Sequence, residues 1–363
     1  MRKRWKASAI VPSCARDPGG AAASPVHLSF GRRVGRKPWW ASAVTLLAIL
    51  AALGLEQWRP CPWRAGLERA FLDYARALER RFNGGTTGQG IAAAALALAP
   101  PLLLAGLLWW AAERLHPAAG LAVDVLVLYS LMGFRRFSHA VSTIIAALRA
   151  SDVTLARRAL AGWRGGWTAE LSTADIARLS IERGIVDAYR HVFAVLFWFL
   201  VLPGPVGAVL YRLATLLADE WRAEPARGDT TPLARDRGTF GRPARELLAL
   251  LDWIPVRLTA LSFAVVGDFE DAIYCWRTQP GDWPASDGGV PVGILLASSG
   301  GALGVEVGGP VQLLSGEPEE RPVIGMGEPA DVELLPSAVG LVWRALVLWL
   351  VLTLLLTLAN WAP

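Results

Sequence analysis

Lysine is nearly missing from this chain: Lys3, Lys6 and Lys37 are the only three, and none follows. A Walker-type phosphate loop needs a lysine to reach the terminal phosphates. Schiff-base enzymes and protein kinases need one in their sites as well. Those chemistries are excluded beyond residue 37, so any phosphate bound there must be held by arginine or backbone amides. A G- and C-rich genome that writes arginine for lysine accounts for the skew without altering the exclusion. Cys14, Cys61 and Cys275 lie too far apart for a CxxC pair or a disulfide framework. The four histidines, His27, His116, His139 and His191, form no HExxH or similar ligand spacing. A metal site built on His or Cys is not expected. Charge is scarce too, at 18% of residues against about 25% in soluble domains.

What is present is apolar. The chain of 363 residues is 53% hydrophobic, its mean hydropathy is +0.37, and many of its 17 tryptophans close apolar runs, as Trp39, Trp40, Trp109, Trp110, Trp349 and Trp361 do. Aromatic rings at run ends are typical of membrane interfaces. The reading is an all-α polytopic membrane protein with four full transmembrane helices, one broken or re-entrant segment and helical cytoplasmic loops. Residues 1–38 form a polar, basic tail expected to be disordered, and 39–363 form the membrane domain. Spans are expected near 39–55, 90–112, 120–134 and 339–359. The run 192–217 is interrupted by Pro203-Gly204-Pro205, and each half is too short for a hydrocarbon core of roughly 30 Å. The lipid bilayer is the expected partner, and nucleic acid is not. Arginine-rich loops at 56–89 and 135–190 place both in the cytoplasm by the positive-inside rule, with the 113–119 turn outside; the basic tail argues the other way. A bacterial inner membrane is the expected location.

Between the runs, residues 135–190 read as soluble helices, with Ser151-Asp152 capping a helix over 153–163 and Ser172 to Asp175 opening the next as a capping box. Asp175, Arg178 and Glu182 share one stripe of that helix, which a solvated face explains. Pro100-Pro101 is expected to kink the 90–112 span, and residues 246–267 read as a pair of short amphipathic helices around Asp252 and Pro255. Asp124, inside an apolar run, is a functional candidate or an interfacial acid. The Gly300/Gly304/Gly308 spacing reads as close packing in preference to a phosphate cradle.

From residue 182 onward the chain resembles the CobD/CbiB family of late cobalamin synthesis. The resemblance is carried by Leu196-Phe197-Trp198, by Leu202-Pro203-Gly204-Pro205-Val206-Gly207 through Tyr211-Arg212, by Phe240-Gly241-Arg242-Pro243-Ala244-Arg245, by Ile254-Pro255-Val256-Arg257-Leu258, and by the block from Asp287-Gly288-Gly289 to Gly308-Gly309-Pro310. With the hydrophobic layout it covers roughly residues 40–360. It implies an ATP-dependent amide ligase joining adenosylcobyric acid to aminopropanol or its phosphate, with Mg²⁺ assisting. On that resemblance Glu182, Asp252 and Arg257 are the catalytic candidates. Arg212, Arg245, Gly204, Gly288 and Gly289 are the candidates for substrate or phosphate binding. Helix capping or snorkelling explains Arg245 and Arg257 as well, and Tyr211 reads as an interfacial anchor. The chain departs from the family pattern where the helix after Glu182 carries Val186, Asp187 and Arg190 in place of Glu, Asn and Asp. It departs again at Thr215-Leu216-Leu217-Ala218, with Asp219 adjacent. Glu56 and the Asp252–Leu258 block also resemble the AmpE-like membrane proteins, which leaves a non-enzymatic regulatory role as the alternative. A transporter is disfavoured by the lack of an inverted repeat.

Overall fold

A computed structural model describes residues 43–165, 168–222, 239–312 and 318–361; the tail expected over 1–38 lies outside them. The described chain is helical throughout apart from a small sheet near the C-terminal third. Four helices are long and apolar enough to cross a membrane: Thr87–Leu115, Thr173–Val201, Arg242–Val266 and Val332–Ala359. Two of the expected spans are apolar helices below that length among the described residues. The run at 39–55 contributes α1 (Ala43–Trp58) and the run at 120–134 contributes α4 (Pro117–Leu131), of 16 and 15 residues. At 1.5 Å per residue these reach only about 24 Å and 22 Å.

Helix α2 (Arg64–Phe82) is amphipathic and turns Phe71, Ala75 and Glu79 inward. Helix α3 (Thr87–Leu115) runs unbroken through Pro100 and Pro101. Proline at position 100 cannot donate to the carbonyl of Leu96; the Tyr74 hydroxyl of α2 donates to that carbonyl instead, at 2.8 Å. Helices α5 (Phe134–Arg149) and α6 (Val153–Arg164) follow, with the Asp152 side chain accepting from the Leu155 amide as the predicted N-cap. The predicted capping box opens α7 (Thr173–Ala188): Ser172 Oγ accepts from the Asp175 amide, and the Asp175 carboxylate accepts from the Ser172 amide.

The break expected at Pro203-Gly204-Pro205 is present, between Val201 and Val206, but the expectation of soluble helices over 135–190 does not hold at α7. This helix continues through a π turn, Tyr189–Phe193, into α8 (Ala194–Val201), so that Thr173–Val201 is one membrane-length helix. Its polar residues do not mark a solvent-facing segment, because Glu182 and Asp187 are buried against partners from elsewhere in the fold. The Pro-Gly-Pro element then reverses the chain into α9 (Val206–Glu220), a 15-residue helix packed back along α8 and α3.

Helix α10 (Arg242–Val266) replaces the predicted pair of short helices. Pro255 leaves the Leu251 carbonyl without its helical donor, and the Trp198 indole N–H of α8 donates to it at 3.2 Å. With that carbonyl satisfied, nothing forces the helix to end. Helices α11 (Phe269–Thr278), α12 (Gly289–Leu303) and α13 (Leu335–Trp361) complete the bundle. Between α12 and α13, β1 (Val305–Gly308) pairs antiparallel with β4 (Val323–Gly325) and parallel with β5 (Glu328–Pro329), while β2 (Val311–Gln312) pairs with β3 (Pro318–Glu319). Of the Gly300/Gly304/Gly308 stripe, Gly300 packs closely, since a Cβ there would stand 2.8 Å from Gly325 Cα, whereas Gly304 ends α12 at φ +68 with open space beside it.

Candidate functional site

The last turn of α6, the middle of α7 with its π turn, the C-terminal end of α9, the approach to α12, and Arg321 of the β3–β4 connection enclose a polar cavity of about 430 Å³. Five arginines line it (Arg164, Arg183, Arg190, Arg222 and Arg321), with four carboxylates (Glu182, Asp219, Glu220 and Asp287). The balance is one positive charge in surplus. Lysine is absent here, as the sequence required.

Arg321 organises one wall. Its side chain has no exposed surface, and its fork is fully used. Nη2 donates to Glu182 Oε2 at 3.0 Å, Nη1 to Asp287 Oδ2 at 2.6 Å, and Nε to the Gly309 carbonyl at 3.1 Å. The guanidinium also lies 5.0 Å from the centre of the Trp283 ring. Burial works against its charge, but Glu182 and Asp287 outweigh burial and hold Arg321 above its ordinary pKa. The second oxygen of Glu182 accepts from the Gly308 amide at 2.8 Å. Gly308 has φ +87, and a Cβ there would stand 2.2 Å from the Pro322 carbonyl oxygen. Arg178, one turn before Glu182, donates to the Gly308 and Pro310 carbonyls. The stripe read as a solvated face is therefore a clasp that fastens the Gly-Gly-Pro strand to α7.

On the opposite wall Asp219 is shared by Arg190 at 3.6 Å and Arg222 at 3.5 Å, and Glu220 pairs with Arg76 of α2 at 2.6 Å. Arg183 pairs with Asp187 at 3.1 Å, and Asp187 also accepts from the Trp163 indole at 2.9 Å. Arg190, where the resembling family carries Asp, thus meets the acid of α9 with opposite charge. Arg164 has no hydrogen bond or ion pair within reach among the described residues. Burial lowers its pKa from the ordinary arginine value, opposed by the more distant Glu182 and Asp287.

The predicted site residues are not all brought together. Glu182 lines the cavity. Asp252 is buried beside it on α10, where its Oδ1 accepts from both the Tyr189 and Tyr211 hydroxyls, at 2.5 and 2.8 Å. Tyr211 is wholly buried, so it is not an interfacial anchor. Arg257 lies on the outer side of α10, donating to the carbonyl of Trp253 and resting 4.6 Å over that ring. Arg212 is buried on α9 and pairs with Glu68 at 2.5 Å, outside the cavity lining. Arg245 is half-buried on α10. Gly204, with φ +63, packs against the Trp109 indole, where a Cβ would come within 2.5 Å of the ring. Gly288 and Gly289 form the turn into α12 directly after the cavity residue Asp287. Asp124 is buried on α4 and does not line the cavity.

Sequence reasoning passed over Arg164, Arg183, Arg222 and Arg321. Arg164 and Arg183 lie on helices read as soluble, and Arg321 follows a Gly- and acid-rich stretch with no periodicity to orient it. Among the described residues no group of three His, Cys, Asp or Glu side chains is arranged to hold a metal ion.

The family described as CobD/Cbib protein matches residues 46–342. A cobalamin biosynthesis protein CobD from Stutzerimonas stutzeri is 34% identical over 312 residues, spanning 85% of this chain and 96% of its own length. A protein of the same name from Chromobacterium violaceum is 34% identical over 335 residues, 91% of this chain and 94% of its own. The cobalamin biosynthesis protein CbiB of Salmonella typhimurium is 25% identical over 246 residues, 66% of this chain and 73% of its own. No solved structure matches. The AmpE-like alternative gains no support from these relatives.

Proposed function

This chain belongs to the CobD/CbiB family, and from that premise we propose that it serves cobalamin biosynthesis as an ATP-dependent ligase of a bacterial inner membrane. It joins the carboxylate of adenosylcobyric acid to aminopropanol or its phosphate. The observation that carries the reading is the arginine-lined cavity, to which the family-motif residues Glu182 and Asp287 contribute.

The chemistry proceeds in two balanced steps. A carboxylate oxygen of the corrinoid acid attacks the terminal phosphorus of ATP, forming an acyl phosphate and releasing ADP. The amine nitrogen then attacks the acyl carbon, loses a proton, and inorganic phosphate departs with the bonding pair. Charge builds on phosphate oxygens in both steps, so preorganised guanidinium groups are the residues expected to stabilise them. Arg183, Arg190 and Arg222 line the cavity as members of ion pairs. Glu182 is committed to Arg321 and Gly308, and its part is to hold the wall in place. Mg²⁺ fits this lining only as an ion carried in on nucleotide phosphates, completed by Asp219, whose side chain is 46% exposed. When bound, Mg²⁺ supplies charge neutralisation on the phosphates.

Purified protein incubated with adenosylcobyric acid, ATP, Mg²⁺ and aminopropanol phosphate should yield the amide, detected by mass. Absence of product beside an active control ligase would sink the assignment. Arg257→Ala, outside the cavity, should leave the product yield intact.

A further inference from the structure

Every carboxylate of the cavity is already neutralised from within the protein. Glu182 and Asp287 are held by Arg321, Asp219 by Arg190 and Arg222, and Glu220 by Arg76. Arg183 has Asp187. Arg164 alone among the lining arginines is left without a counter-charge in contact, among the described residues. It closes α6, immediately before Gly165 at φ +76, so the helix ends as the side chain enters the cavity. A partly buried guanidinium without a partner is costly to maintain. Glu182 and Asp287 offset only part of that cost from a distance, since both are bonded to Arg321 and neither touches Arg164. A group kept at such expense fits an anion that arrives from outside.

We propose that Arg164 is the docking residue for a phosphate group of the substrates, receiving a phosphoryl dianion into the cavity through its planar fork. The neighbouring Arg183 adds charge without needing to leave Asp187. The inference rests on the ligase reading for what carries the phosphate, but the recognition itself follows from the charge pattern. A phosphoryl dianion reaches the cavity from one of two sources: the nucleotide, or the phosphorylated amine.

The test measures binding to the full-length protein in detergent by calorimetry, with inorganic tripolyphosphate, ATP and aminopropanol phosphate as separate probes, in wild type, Arg164→Ala and Arg164→Lys. Wild type should bind at least one probe. Arg164→Ala should weaken that binding by at least about tenfold, the loss of one charge-assisted fork. Arg164→Lys should recover part of it. Weakening confined to ATP and tripolyphosphate assigns Arg164 to the nucleotide, and weakening confined to aminopropanol phosphate assigns it to the amine. The unfolding temperature of ligand-free Arg164→Ala should equal or exceed that of wild type; a purely structural arginine would lower it. Affinities within twofold of wild type for all three probes, or no binding of any by wild type, would overturn the inference. If the amide product never forms while Arg164-dependent phosphate binding persists, the ligase reading falls and this inference stands. If product forms in Arg164→Ala with unchanged KM for ATP and for the amine, the inference falls and the ligase reading stands.

Discussion

Arg321 and Arg164 line the same cavity and have opposite expectations. Arg321 donates from all three of its nitrogens, to two carboxylates and one carbonyl, and lies over an aromatic face. Removing it strands the buried Glu182, so Arg321→Ala should cost about 3–5 kcal/mol, read as a lowered unfolding temperature in detergent. Arg321→Lys should rescue little, because an ammonium cannot span both carboxylates. Asp252 gives a second contrast. Asp252→Asn retains an acceptor oxygen for the Tyr189 and Tyr211 hydroxyls and should fold with a small loss. Asp252→Ala leaves two buried hydroxyls without their acceptor, at about 1–3 kcal/mol for each. A comparable stability for the two variants would show that the hydroxyls do not depend on this carboxylate.

Two helices keep prolines in their interiors, and for Pro100 and Pro255 a neighbouring helix satisfies the carbonyl that the proline releases. Tyr74 serves Leu96 of α3, and Trp198 serves Leu251 of α10. In a membrane, where water cannot make up the bond, such an orphan is costly. Trp198→Phe should therefore destabilise by about 1 kcal/mol or more. The same substitution in a Pro255→Ala background should cost less, since alanine restores an N–H to the Leu251 carbonyl. A double-mutant cycle on chemical unfolding measures the difference; zero coupling would mean the indole N–H does not compensate for the proline.

The whole molecule has two distinct ends. Gly90 at the start of α3 packs on Phe240, and the Trp221 ring after α9 lies tilted against the Phe240 ring, centroids 4.8 Å apart. At the other end Gly204 meets Trp109, and Val206 meets Gly106. The cavity residues Asp219 and Arg222 belong to the first end, and the Pro203–Pro205 turn belongs to the second. ATP is supplied in the cytoplasm, so the cavity end should face it. With Cys14, Cys61 and Cys275 replaced, a cysteine at Arg222 should be labelled by an impermeant maleimide only from the cytoplasmic side. A cysteine at Pro203 should be labelled only from the periplasmic side. The reverse pattern would place the cavity away from its nucleotide.

The sequence by itself determined that this is a helical membrane protein, that arginine or backbone amides must carry any phosphate binding beyond residue 37, and where α6 and α7 begin, because hydropathy, composition and capping are local properties. It also carried the family, through motifs whose residues shape turns and close contacts, such as Gly204 against Trp109 and the strand after Gly304. It misjudged α7 and α10. Glu182 and Asp187 look solvated until their partners, Arg321 and Trp163, are brought across more than a hundred residues and more than twenty respectively. Pro255 looks like a break until Trp198 covers the carbonyl it exposes. Only the tertiary structure decided which arginines are spent on structure and which one is left to meet a ligand, because a charge is paired or unpaired by its neighbours in space, and one chain order does not fix those neighbours.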